Sequence, residues 1–172
     1  WSPESDGVLF LFDDQGVTKL GRVSLDGSVS TLAGGFGGGS LGRPYASGSF
    51  SVGPGGRFAT TVTTVDRPAD VAIGGGRSVR RLTNLNEDLL AHKTLAGAES
   101  ITVRSSADDR EVQAWVMRPP GFDPDASYPL VLEIHGGPFA NYGPRFAAEN
   151  QLYAAAGYVV VYANPRGSTS YG

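Results

Sequence analysis

LVLEIHGGPFANYG, residues 130–143, runs a short apolar strand, LVLEI, straight into His135, Gly136, Gly137 and Pro138. A simple turn needs one glycine. Two in a row, held between a histidine and a proline, predict backbone N–H groups left open to something that approaches closely. The stretches that follow give this segment its context. PRFAAENQLYAAAG (144–157) reads as a helix, with Pro144 suited to its first turn and Gly157 to its C-terminal end. YVVVYAN (158–164) reads as a buried strand, apolar on both faces as in a parallel sheet. Strand, helix and strand make a βαβ unit, and the glycines fall at the carboxyl end of its first strand, where ligands bind in open α/β sheets.

Upstream, ESITVRS (99–105) and EVQAWVMRP (111–119) flank a polar turn and predict a hairpin, and GFDPDASYP (121–129) is a loop by its prolines and aspartates. The composition changes near residue 96. The first part is rich in glycine, serine, threonine and valine, with strand candidates at 7–14, 18–27 and 28–34 that recur at 55–66, 68–75 and 78–84. Gly7 maps onto Gly56 and Gly27 onto Gly75, offsets of 49 and 48. Short strands, turn signals and a period near 50 are what propeller blades show. Two such repeats do not close a propeller, so on this reading other blades lie outside these residues.

LVLEIHGGPFANYG, followed at the expected distance by YVVVYANPRGSTSYG, resembles the prolyl oligopeptidase family of serine peptidases, in its acylaminoacyl-peptidase-like branch. The resemblance implies β-propeller blades followed by the N-terminal part of an α/β-hydrolase domain, a mixed β and α/β fold. The division expected is 1–96 for the last blades and linker, and 97–172 for the first strands and helix of the catalytic domain. In α/β-hydrolases the loop after the third strand supplies one oxyanion-hole N–H. By family analogy that donor is Gly137, with His135, Gly136 and Pro138 shaping the loop. Phe139 and Tyr142 either line the acyl pocket or pack beneath the helix. Arg166, in NPRGS, either orders neighbouring loops through a carboxylate or faces substrate. The family's Ser-Asp-His triad is expected outside this chain, which alone is then expected to be inactive. The implied reaction is hydrolysis of short peptides or acyl-peptides, and the expected partners are peptide substrates, the remainder of the same polypeptide and possible further copies of the chain.

Two weaker signals invite a different reading. Gly38-Gly39-Ser40-Leu41-Gly42 matches G-x-S-x-G, and Gly37 to Gly42 matches G-x-G-x-x-G. Both motifs need a strand before and a helix after, and Pro44 opposes an immediate helix. With 25 glycines, chance matches are expected. The adjacent acidic pairs, Asp13-Asp14 among them, read as solvated turn residues. His135 reads as a loop-fixing residue rather than a general base, and His92 as an ordinary linker residue.

The totals narrow the field. Charged residues make up 18 %, the net charge is −3, and no basic face points to nucleic acid. No apolar run approaches the roughly 18 residues of a membrane helix. There is no cysteine and there are only two histidines, so no metal site and no cofactor are expected, and a cytoplasmic location is compatible. Two rivals stand beside the peptidase: an esterase of the same hydrolase fold, and a non-catalytic propeller that binds or scaffolds.

Overall fold

The computed structural model describes residues 1–137 and 139–171. Its first sheet is antiparallel. It contains β1 (Gly7–Asp14), β2 (Val17–Ser24), β3 (Val29–Phe36), β4 (Phe50–Gly53), β5 (Arg57–Thr64), β6 (Arg67–Gly75) and β7 (Ser78–Arg81). The chain turns from β1 to β2 through Gln15 and Gly16, both at positive φ, as a two-residue hairpin of matching twist requires. The repeat seen in the sequence is a repeat of strands: β1 and β5 start 50 residues apart, as do β2 and β6. The two units meet where Phe36 pairs with Val62, while β4 fills the rest of that edge of β5. Leu20, Ala33, Phe36 and Phe58 form the shared core, with the two phenyl rings 6.0 Å apart. The short β4 carries no alternation long enough to be seen in the sequence.

The second sheet has the order β10-β11-β9-β8. β8 (Ala98–Arg104) and β9 (Glu111–Met117) are the expected hairpin. The short helix α1 (Glu87–Leu90) lies between the two sheets in sequence. β10 (Leu130–Ile134) runs parallel to β11 (Val159–Ala163), and helix α2 (Ala148–Ala155) connects them. Trp115 and Tyr162 face each other across β9 and β11 and stack at 5.4 Å. Met117, Val160 and Ala154 close the space between sheet and helix. β11 is central and buries Val160 and Tyr162 fully. β10, though apolar in sequence, is an edge here, and Leu130, Leu132 and Ile134 are exposed along one face.

The helix starts at Ala148 rather than at Pro144, because the residues between serve the contact with the first sheet. Ala147 is extended, at φ −138°. The first free N–H groups of α2, on Ala148 and Glu149, donate to the carbonyls of Leu41 and Gly42 in the loop between β3 and β4. Arg145 is buried and reaches into the first sheet. Its guanidinium donates to Gly16 O at 2.8 Å, to Thr18 Oγ1 at 2.7 Å and, more weakly, to Phe36 O. Thr18 donates in turn to Asp13, 2.6 Å away. Burial lowers the Arg145 pKa from its ordinary value, and the Asp13 charge opposes that shift. Asp13, which also accepts from Asn141, is therefore part of the contact between the sheets and not a solvated turn residue.

Gly16 and Gly143 are needed for this approach. A Cβ on Gly143 would sit 1.9 Å from Gly16 O, and one on Gly16 would sit 2.7 Å from Tyr142 O. Replacing Arg145 with methionine should destabilise the protein by about 3 kcal/mol, since buried carbonyls, Thr18 and Asp13 lose their cation. Lysine should recover only part of this, because an ammonium does not span three acceptors as a planar fork does. Urea denaturation of the three proteins measures both differences.

Candidate active site

β10 ends at Ile134, and His135 turns the chain off the sheet. The imidazole is buried, with Nδ1 3.1 Å from Gly136 O and Nε2 3.0 Å from Ser168 Oγ. The Ser168 hydroxyl donates to Pro165 O at 2.6 Å, so toward the imidazole its oxygen accepts from Nε2–H. Pro165 O also accepts from the Ser168 N–H. Both nitrogens are occupied in this way, and the ring meets Tyr142 edge-on at 5.0 Å. The arrangement suits an anchor for the loop better than a base that must exchange protons with a substrate.

Gly136 and Gly137 follow and are both exposed. Among the described residues, nothing accepts a hydrogen bond from either N–H. Gly137 has φ +135°, a conformation open to glycine and strained for any side chain, and a Cβ there would lie 3.1 Å from Phe139 N. Gly136 is not at positive φ, and a Cβ on it would meet nothing within 4 Å. The two neighbouring glycines thus differ: one is required by the backbone and the other is not. Pro138 lies outside the described residues.

Phe139 projects with 83 % of its surface exposed. It borders a cavity of about 430 Å³ between the start of β9 and the loop after β11, lined also by Gln113, Asn164, Arg166 and Tyr171. Arg166 reaches this rim and pairs with Asp108, 2.5 Å away on the β8–β9 turn. Slight burial raises the Asp108 pKa, and bonds from Ser105 and the Arg110 N–H, with the Arg166 and Arg110 charges, more than offset it. Tyr142 lies apart from the cavity, fully buried, and burial pushes its phenol pKa up so that it stays neutral. Its N–H and C=O both bond to the Asn164 side chain, at 2.7 and 2.9 Å. The structure therefore brings Phe139 and Arg166 to one cavity and puts Tyr142 into the packing behind it.

Four residues of this region carry no signal in the sequence. Ser168 holds His135. Asn141 bonds to Asp13 and Thr169, and Asn164 clamps Tyr142. Tyr45, from the loop between β3 and β4, packs its ring against Tyr142 at a tilt, 4.9 Å between centroids. Each acts across a distance in sequence that no local pattern spans.

No family model matches the chain. An uncharacterised peptidase of Bacillus subtilis, YuxL, is 36 % identical over 174 residues, covering all of this chain and 25 % of that protein. The dipeptidyl-peptidase 5 of Trichophyton schoenleinii is 34 % identical over 99 residues, 56 % of this chain and 14 % of its own length. Along its whole length the chain is thus similar to part of larger peptidases, and solved structures similar to it are peptidases of the acylaminoacyl type. The acylaminoacyl peptidase of Pyrococcus horikoshii superposes with a TM-score of 0.77 at 27 % identity, over 98 % of this chain and 25 % of its own. An acylaminoacyl peptidase bound to Z-Gly-Gly-Phe-chloromethyl ketone gives 0.78, at the same identity and coverage. The chain thus spans a quarter or less of the length of these relatives. Among the described residues no helix is long and apolar enough to cross a membrane.

Ser40, the serine of the G-x-S-x-G match, makes no hydrogen bond to a histidine among the described residues; its Oγ accepts from Arg43 N at 3.4 Å. Ser40→Ala in the full-length protein should leave fluorophosphonate labelling unchanged. Loss of labelling in a folded variant would return the nucleophile to this loop.

Proposed function

We propose that these residues supply the oxyanion-hole loop of a serine peptidase that hydrolyses short peptides or acyl-peptides. The observation that carries the reading is the exposed Gly137 at the carboxyl end of β10, its N–H unpaired among the described residues and its φ reserved for glycine. Such an N–H, fixed before substrate arrives, stabilises the negative oxygen of a tetrahedral intermediate without reorganising. On this reading residues 97–172 are the start of an α/β-hydrolase domain, and the parallel pair β10 and β11 with α2 between them is its βαβ unit. Residues 1–96 are propeller blades and linker, which the strand repeat of the first sheet supports.

The reaction is acyl transfer to a serine. The serine oxygen forms a bond to the scissile carbonyl carbon, its proton passes to the triad histidine, and the carbonyl oxygen takes up the charge facing Gly137. The amine leaves with the proton from that histidine, and water then releases the acyl group by the same steps. Serine, aspartate and histidine of the triad come from outside these residues. The cavity beside Phe139 and Arg166 receives part of the substrate.

Losing one oxyanion donor costs about 10²–10³ in kcat. Gly137→Val in the full-length protein should therefore slow turnover of acetyl-alanyl and dipeptidyl p-nitroanilides by that factor. Gly136→Ala, with open space at its Cβ, should stay within about threefold of the parent. Equal turnover by folded Gly137→Val would remove the assignment, and cleavage of carboxylic esters with none of amides would favour the esterase reading.

A further inference from the structure

The glycine-rich stretch between β3 and β4 has no place in the chemistry so far. It is not a phosphate loop or a nucleophile elbow. It leaves the first sheet after Phe36 and lies along the segment 141–149 of the second. Ala46 N donates to Asn141 O, Gly143 N to Pro44 O, Ala148 N to Leu41 O and Glu149 N to Gly42 O. Tyr45 and Tyr142 form an antiparallel bridge. Its glycines are explained by packing: Cβ atoms on Gly37, Gly38 and Gly39 would come within 2.2–2.7 Å of Thr63, Ala69 and Ser47 side chains. Arg43 adds a 3.1 Å ion pair to Glu149 and a 3.8 Å pair to Glu133, two residues before His135.

We propose that this strap, through Tyr45, positions the oxyanion loop. The Tyr45 ring stands 4.9 Å from Tyr142 and 6.3 Å, edge-on, from His135, and Tyr142 stands 5.0 Å from the same imidazole. His135 is held on its other side by Ser168. The imidazole that immediately precedes Gly136 and Gly137 is thus fixed between Tyr45 of the β3–β4 loop and the loop after β11. Tyr45 touches no reacting atom. It is a positioning residue, and it makes the loop between β3 and β4 a determinant of where the Gly137 N–H points. The inference rests on Gly137 being the oxyanion donor.

The test uses saturation labelling of the full-length protein by a fluorophosphonate, which separates the maximal rate of serine phosphonylation from the inhibitor's apparent affinity. Tyr45→Ala should lower the maximal rate about tenfold and change the affinity less than threefold. Tyr45→Phe should restore the rate, because the ring makes the contact. Tyr45→Leu, which keeps most of the volume, should behave like alanine, and it replaces alanine if the latter does not fold. The double variant Tyr45→Ala/Gly137→Val should be no slower than Gly137→Val alone, since both losses pass through one N–H. An unchanged rate in folded Tyr45→Ala or Tyr45→Leu, or additive losses in the double variant, overturns the positioning role while leaving Gly137 in place. If Gly137→Val labels at the parental rate, the oxyanion reading itself falls, and the inference with it.

Discussion

The guanidinium of Arg145 is buried between two sheets, and a buried charge persists only where hydrogen bonds and a counter-charge replace the lost water. Its partners here are mostly backbone carbonyls, and carbonyls are fixed to the strands and turns that carry them. Satisfying Arg145 therefore fixes the β1–β2 turn through Gly16, β2 through Thr18 and the end of β3 through Phe36. The nearest compensating anion, Asp13, is reached through the Thr18 hydroxyl, and it also holds Asn141. One cation thereby ties the turn of the first sheet to the segment that leads from the His-Gly-Gly loop into α2. The glycines at 16 and 143 follow from this contact, since the two backbones must come closer than any Cβ allows.

The elements that were legible in the sequence are those written in local period. A short apolar run marked β1, turn signals marked β2, and the recurrence of both about 50 residues on marked β5 and β6. The apolar run YVVVYAN marked β11, and strand-helix-strand order marked the parallel pair. The His-Gly-Gly motif marked the loop. What stayed hidden was long-range. Arg145 sits in PRFAAE, where a helical pattern reads it as an ordinary first-turn residue. The contact it makes is with residues more than 100 positions away, and that contact delays the helix to Ala148. Asp13 looked like half of a solvated acidic pair because its partners, Thr18 and Asn141, lie across a turn and across the sheets. The glycines at 37–39 looked like compositional noise. They are small because Thr63, Ala69 and Ser47 leave no room.

The same hidden contacts account for how a short exposed loop holds its shape. Gly136 and Gly137 make no hydrogen bonds of their own from N–H among the described residues, and a free glycine pair would sample many directions. Its two ends are not free. His135 is bonded to Ser168 at one end. At the other, Ala140 O accepts from Thr169 N, Asn141 bonds Asp13 and Thr169, and Tyr142 is clamped by Asn164. Four residues span those anchors, so fixing both ends leaves the intervening N–H groups few directions to take. For the proposed role this matters more than any contact to substrate. A donor that must rotate into place offsets its own benefit in reorganisation, whereas one oriented beforehand gives its full stabilisation to the developing charge. The anchors come from both sheets and from the loop after β11, which means that the direction of the Gly137 N–H is a property of the interface, and not of the glycine motif alone.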